Sequence, residues 1–308
     1  MGRNYNRRGK TVEVIIDKIE FNATVVVCIE QARAMEPDRH DWHLTARYLY
    51  TLPLDGPGWA WEWLRRNPRY RDDYARLLCN RRRRRGTPQD RRRLPRDCAD
   101  RWGLSVLEAP DLSALEALVC WRRDWFKGTL RVGAQRRPSP STPPFTLWSE
   151  RGRKAIFVGI ESAHVILQSD GAGHRLVFED RSDLSAQIDL ELRIDAMKTD
   201  RSQFEAARRF LFERYHEIAP QRPLHPRAPR MMQMLQVIDG RAAGASQREV
   251  AEVLFGAEAV AEEWRSSDRL KSRVRYLEQR GSFFINGGYR TLLGPSDRSA
   301  RGTPPIIR

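Results

Sequence analysis

The chain has 308 residues, 40% hydrophobic and 31% charged, with 55 Lys and Arg against 40 Asp and Glu for a net charge of +15 and a pI near 10.3. That length exceeds what one small core requires, so several modules are expected; the positive excess concentrates anionic partners, nucleic acid first among them. A membrane span is not expected: the most apolar early stretch, "VEVIIDKIEFNATVVVCIE", is interrupted by Asp17, Lys18, Glu20 and Asn22 and falls short of the roughly 20 apolar residues a spanning helix needs.

The first segment, residues 1–40, joins a basic start to a β-prone run of Val and Ile and carries no motif that assigns it a role. Residues 41–137 read as a helical module rich in Trp and Arg. In "GPGWAWEWLRRNPRYRDDYARLL", Trp59 and Trp63 share a face at i,i+4 spacing, Asn67 and Pro68 form an N-cap and first-turn pair, and Tyr70 and Tyr74 repeat the spacing. Packing inside the protein is favoured over stacking on unpaired bases, so these four aromatics are expected at an interdomain or partner-binding contact. Residues 76–101 hold 11 Arg against 3 Asp, and Arg81 to Arg85 with Arg91 to Arg93 lack apolar periodicity. They are expected to form a mobile basic loop.

Proline runs mark linkers at 138–144 and 220–229. Between them, residues 145–219 carry the short β-prone runs "KAIFVGI", "HVILQSD" and "HRLVFED" with a hairpin signal in "DGAGH", then the amphipathic "SQFEAARRFLFERYHE", and residues 145–215 hold 11 basic and 12 acidic side chains. This is expected to be a small α+β unit acting as spacer or interaction platform.

Residues 230–294 carry the most specific pattern. Met231, Met234, Leu235, Ile238 and Ala242 fall on one face of a first helix. "SQREVAEVLFG" follows, with a capping box from Ser246 to Glu249 and a stop at Gly256. An insertion, "AEAVAEEWRSS", then precedes "DRLKSRVRYLEQRG", which has Leu270, Val274 and Leu277 on one side and four basic residues with no acid between Arg269 and Tyr276. This order suggests a helix-turn-helix with an extended turn and a basic last helix over 268–280. Lys271, Ser272, Arg275 and Gln279 are expected toward base edges, and Arg248, Arg269, Arg273 and Arg280 nearer the phosphate backbone. "FFINGGYRTLL" either forms a hairpin wing or caps the core, and residues 295–308 are a tail.

The segments "DGRAAGASQREVAEVLFG" and "LKSRVRYLEQRG", the Trp-containing turn and the closing "GGYRTLL" resemble the C-terminal DNA-binding domain of the FseA-type transcriptional activators. "DWHLTARYLYTLPLDGPGWAWEWLRRNPRYRDDY" resembles the small domain that precedes it in that family. The resemblance implies an activator of genes for excision and conjugative transfer of an integrative element, with double-stranded DNA and RNA polymerase as partners. It also implies an N-terminal domain that contacts the DNA-binding domain and is captured by an antiactivator protein. The rival is an interaction protein whose basic faces meet an acidic partner and bind DNA only incidentally.

No GxSxG, HExxH or Gly-rich phosphate loop is present, and His40 with His43 has no further ligand nearby. No enzyme activity, metal or other cofactor is therefore expected. Cys28, Cys79, Cys98 and Cys120 form no CxxC pair and are expected reduced and buried in a cytoplasmic, nucleoid-associated protein. The fold class is mainly α with a small α+β middle module and a C-terminal extended-turn helix-turn-helix.

Overall fold

The computed structural model describes residues 17–21, 24–29, 42–83, 96–135, 144–150, 152–158, 162–169, 172–184, 187–194, 201–215 and 225–294. Arg84, Arg85, Arg91 to Arg93, residues 138–143 and 220–224 of the proline linkers and the 295–308 tail lie outside them. The architecture is mainly α with a small α+β unit.

Among the described residues, seven strands form one sheet in the order β1-β2-β4-β5-β6-β3-β7. They are β1 (Asp17–Phe21), β2 (Thr24–Ile29), β3 (Leu130–Gln135), β4 (Arg153–Val158), β5 (Ala163–Ser169), β6 (Ala172–Phe178) and β7 (Asp189–Arg193). The three β-prone runs of the middle segment become β4, β5 and β6, which pair antiparallel, with Ser169 opposite Ala172 at the hairpin end. The sheet recruits strands from outside that segment. β2 pairs with β4, placing Val26 opposite Phe157, and β3 runs parallel to β6 and antiparallel to β7. The early Val and Ile run thus extends the sheet rather than standing apart, because a strand edge with free N–H and C=O groups is satisfied by another strand.

Tryptophan builds the first helices. In α1 (Gly56–Leu64), Asp55 is the N-cap, its Oδ1 accepting the Gly58 N–H at 2.9 Å, with Pro57 in the first turn. Trp59, Trp61, Trp63 and Leu64 are wholly buried; a helix apolar nearly all round has to be enclosed. Asn67 caps α2 (Pro68–Arg83) by accepting the Tyr70 N–H at 3.1 Å. Arg81 to Arg83 continue α2 instead of opening the expected loop, since Arg is a good helix former. After α3 (Arg96–Asp100) the chain is irregular up to β3.

α4 (Arg201–Tyr215) packs against the sheet through Ala206, Ala207 and Phe210. The C-terminal helices are α5 (Ala228–Ala242), α6 (Gln247–Phe255), α7 (Ala257–Glu263) and α8 (Arg269–Ile285), closed by a 3-10 turn at Gly288–Leu292. Ala228 and Pro229, expected in a linker, are the first turn of α5, where proline's missing N–H costs nothing.

The cores are laid out differently from a string of three modules. One core joins both ends of the chain: Trp42, Tyr48, Trp59, Trp61, Trp63 and Tyr70 pack with Met231, Leu235, Val274, Leu277, Phe284 and Tyr289. A second lies between the sheet and α4, and a smaller one seats Leu118 and Cys120 on Ala155, Phe157 and Ile166. α5 is covered on two faces for this reason. Gln236 is buried, its Nε2 donating to the Trp42 carbonyl at 3.0 Å, whereas Ala242, expected in the core, is exposed because it lies past the covering elements. Cys79, Cys98 and Cys120 are free thiols; Cys120 is buried as expected, but Cys79 sits on the exposed side of α2. Among the described residues no helix is long and apolar enough to cross a membrane.

Candidate nucleic-acid interface

The C-terminal helices follow the local signals closely. Ser246 Oγ accepts the Glu249 N–H at 3.2 Å while the Ser246 N–H donates to Glu249 Oε2 at 2.6 Å, so the capping box is complete. These hydrogen bonds, the backbone one first, hold the Glu249 carboxyl below its ordinary range. Gly256 has a φ of 92°, which ends α6 and turns the chain directly into α7, a conformation costly for any residue with a Cβ. The inserted segment is therefore a short helix plus a turn, and Val260 sends it into the core. Ser267 Oγ then accepts the Arg269 N–H at 3.1 Å where α8 begins.

α8 runs five residues beyond the expected Arg280, to Ile285. Leu270, Val274, Leu277, Gly281, Phe284 and Ile285 are buried, an i, i+4, i+7 stripe that places the remaining side chains outward. "FFINGG" is not a hairpin. Phe283 to Ile285 complete the helix, Gly287 takes a φ of 117°, and Tyr289 is fully buried with its hydroxyl donating to the Trp102 carbonyl at 3.1 Å. The buried Tyr289 anchor and the apolar partners of Phe284 hold this end as a cap on the core, so no wing forms over 283–293.

The structure leaves Ser272, Arg273, Arg275 and Gln279 exposed, with Lys271 and Arg280 partly so. Lys271 Nζ is 3.3 Å and Arg275 Nη2 3.4 Å from Asp268, which is itself highly exposed. Lys271 also lies over the Trp264 ring at 5.8 Å. Arg269 pairs with Glu263 at 2.9 Å, and Arg248 with Glu252 at 3.0 Å. Arg273 stacks on Phe255 at 4.6 Å and Arg280 on Phe283 at 4.8 Å; neither has a carboxylate partner among the described residues. These pairs are exposed, so each contributes under about 1 kcal/mol and can be exchanged for a phosphate.

The four aromatics of the N-terminal segment face inward. Trp59, Trp63 and Tyr70 are fully buried and Tyr74 is half-buried. Trp63 stacks on Phe284 of α8 with ring centroids 5.1 Å apart. Tyr70 spans the segment itself, its hydroxyl donating to the Glu108 carbonyl at 2.7 Å and accepting the Glu108 N–H at 2.9 Å. Polar contacts unnoticed in the sequence tie the same two ends. Asn67 Nδ2 donates to the Ile285 carbonyl at 2.8 Å. Arg66 forks onto both Asp239 oxygens at 2.8 Å, and Tyr48 donates to Asp239 Oδ2 at 3.0 Å. Burial alone raises the pKa of Glu62, but Arg65 and Arg66 outweigh it and hold the carboxyl at about 2. The only sequence signal for this cluster was the i,i+3 and i,i+4 spacing of Glu62 with Arg65 and Arg66.

Residues 184–294 match a family described as "T6SS, Transcription factor, DNA binding domain", the RovC-type DNA-binding domain. Residues 41–105 match a family described as "Proteobacterial transcriptional regulator-like domain". No curated protein matches the chain. The two domain matches support a transcriptional regulator with DNA as a partner of its C-terminal part.

Proposed function

We propose that the chain is a sequence-specific transcriptional activator that lays α8 in the major groove as the last helix of an extended-turn helix-turn-helix. One observation carries this reading: within the segment similar to a transcription-factor DNA-binding domain, α8 presents Lys271, Ser272, Arg275 and Gln279 outward while Leu270, Val274 and Leu277 seat it on the core. An Arg bidentate to guanine contributes about 1–3 kcal/mol of discrimination, whereas phosphate contacts set affinity for every sequence alike. Arg275 is assigned to base reading, and Arg273, Arg280, Arg269 and Arg248 to the backbone.

The target genes in this reading are those for excision and conjugative transfer of an integrative element, on the resemblance of both terminal segments to the FseA-type activators. Genes of a secretion apparatus are the second candidate set, because the matched C-terminal family is described with the term T6SS. The regulator acts without enzymatic chemistry, in the cytoplasm at the nucleoid, recruits RNA polymerase and is restrained by an antiactivator protein. Such a protein has to use surface residues of the N-terminal segment or part it from α8, since Trp59, Trp63 and Tyr70 are enclosed.

Selection of bound duplexes from a random pool, followed by mapping of occupied sites in cells, tests the reading. Arg275→Ala is expected to relax preference at one position of the selected site, and Arg273→Ala to weaken all duplexes equally. If both variants bind selected and random duplex as the parent does, the groove assignment is wrong.

A further inference from the structure

A cluster of positive charge without carboxylate partners among the described residues lies beside the outward face of α8. A cleft of about 670 Å³ opens between the start of α5 and the flank of α8, lined by Arg227, Arg230, Arg273, Arg280, Tyr276 and Phe284 among others, with no Asp or Glu among the described residues of its lining. None of these four arginines is paired with a carboxylate among the described residues, in contrast to Arg248, Arg269, Lys271 and Arg275. Gathering four cations in one cleft costs self-repulsion that no carboxylate among the described residues relieves. Such an arrangement suits a ligand that brings the opposite charge.

The geometry of the guanidinium groups points to phosphate. Arg273 lies on Phe255 at 4.6 Å and Arg280 on Phe283 at 4.8 Å. Stacking occupies the planar faces and restrains the side chains while leaving N–H edges for forked hydrogen bonds to two oxygens. Two turns separate the pair along α8, about 10 Å at 1.5 Å per residue, so they reach more than one anionic group. The first turn of α5 carries no acid, and its dipole adds positive potential at the same mouth.

We propose that this cleft is a phosphate-binding site that takes one strand of the DNA backbone alongside α8, with Arg227 and Arg230 as its outer jaw and Arg273 and Arg280 as its inner one. The proposal rests on the DNA-binding reading and extends it to α5, whose residues no recognition pattern in the sequence had marked. The backbone is the chosen occupant because the cleft is continuous with the exposed face of α8 through Tyr276 and Arg273. A duplex lying on that face passes its phosphates over the mouth.

The test compares the full chain with Arg227→Gln/Arg230→Gln and with a charge-matched control, Arg193→Gln/Arg208→Gln, whose sites lie on β7 and α4. Binding to a selected and to a random duplex is measured across a salt series, and binding of inorganic pyrophosphate by calorimetry, after thermal melts have confirmed that the variants fold like the parent. Neutralising two phosphate contacts reduces the slope of log K against log salt by about 1.8. That loss, equal on both duplexes, with the parent's sequence preference kept and the control unchanged, supports the site. An unchanged slope in the Arg227/Arg230 variant, with the parent still selective, overturns the cleft and leaves the α8 reading standing. A reduced slope in the Arg227/Arg230 variant, with a parent that binds all duplexes alike, supports the cleft and removes the α8 reading, and no duplex binding by the parent removes both. Pyrophosphate bound by the parent and lost in the variant without any change in slope overturns the backbone assignment in favour of a free phosphorylated ligand.

Discussion

Trp63 of α1 lies nearly flat on Phe284 of α8, with 5.1 Å between ring centroids and 20° between planes. A residue near the start of the chain is therefore part of the underside of the helix assigned to DNA. Truncating Trp63 removes a wholly buried indole at a cost of about 3–5 kcal/mol. Trp63→Ala is expected to lower the stability of both segments in one transition, seen as coincident loss of far-ultraviolet and tryptophan signals in a denaturant titration. Two separate transitions, with the C-terminal one at its parental midpoint, would show that α8 does not depend on α1.

The indoles of α1 differ in a way that substitution can read. Trp61 Nε1 donates to the Leu112 carbonyl at 3.0 Å, whereas Trp59 Nε1 is buried without a hydrogen-bond partner among the described residues. Trp61→Phe forfeits that hydrogen bond and leaves a carbonyl unsatisfied, while Trp59→Phe removes an orphaned donor. Trp61→Phe is expected to cost about 1–2 kcal/mol more, measured by urea midpoints at equal m-values.

Glu62 gives the protein an acid limit. Its carboxyl titrates at about 2 in the fold, against about 4.3 in an unfolded chain, so the folded state binds fewer protons between those values. The stabilisation is complete above about pH 4.3 and disappears as the pH falls toward 2. Stability titrated from pH 6 to pH 2 should decline over that window, and the decline should be smaller in Glu62→Gln. At neutral pH the same variant is expected to lose about 3 kcal/mol, because Arg65 and Arg66 keep their charges without their shared partner.

Gly56 meets the other end of the chain at close quarters: a Cβ there would stand 2.2 Å from the Leu292 carbonyl oxygen. Alanine has the better helix propensity by about 1 kcal/mol, yet Gly56→Ala is expected to destabilise by about 2 kcal/mol, as backbone must shift to admit it. A rise in melting temperature would contradict the observed packing of α1 on the terminal 3-10 turn.

Asp268 neutralises two of the four side chains assigned to base edges, at 3.3 Å from Lys271 and 3.4 Å from Arg275. Its pairs are exposed, so Asp268→Asn should leave stability within about 0.5 kcal/mol of the parent. Affinity for random duplex is expected to rise several-fold, with a salt slope steeper by about 0.9 for each cation released to a phosphate. If fluorescence anisotropy shows the slope unchanged, Lys271 and Arg275 do not approach the backbone, and base contacts alone account for them.

The elements that depend on neighbours in the chain were readable in the sequence. Asn67 with Pro68, Ser246 with Glu249, Gly256 and the Leu270, Val274, Leu277 stripe each set a helix end or face through interactions spanning a few residues, and each appears where those interactions place it. The sequence left wing and core cap open because Asn286 and Gly287 fit a helix end as well as a hairpin; the burial of Tyr289 against Trp102 decided between them. What tertiary structure alone decided is which segments share an interior. Arg66 and Asp239 stand 173 positions apart, and nothing local to either marks the other. The pairing of β2 with β4 and the gathering of Arg227 and Arg230 with Arg273 and Arg280 are of the same kind. Apolar periodicity records that a face is buried; it carries no label for the surface that buries it, because the hydrophobic effect is non-directional and the choice of partner lies in shape and charge met only after the chain has folded.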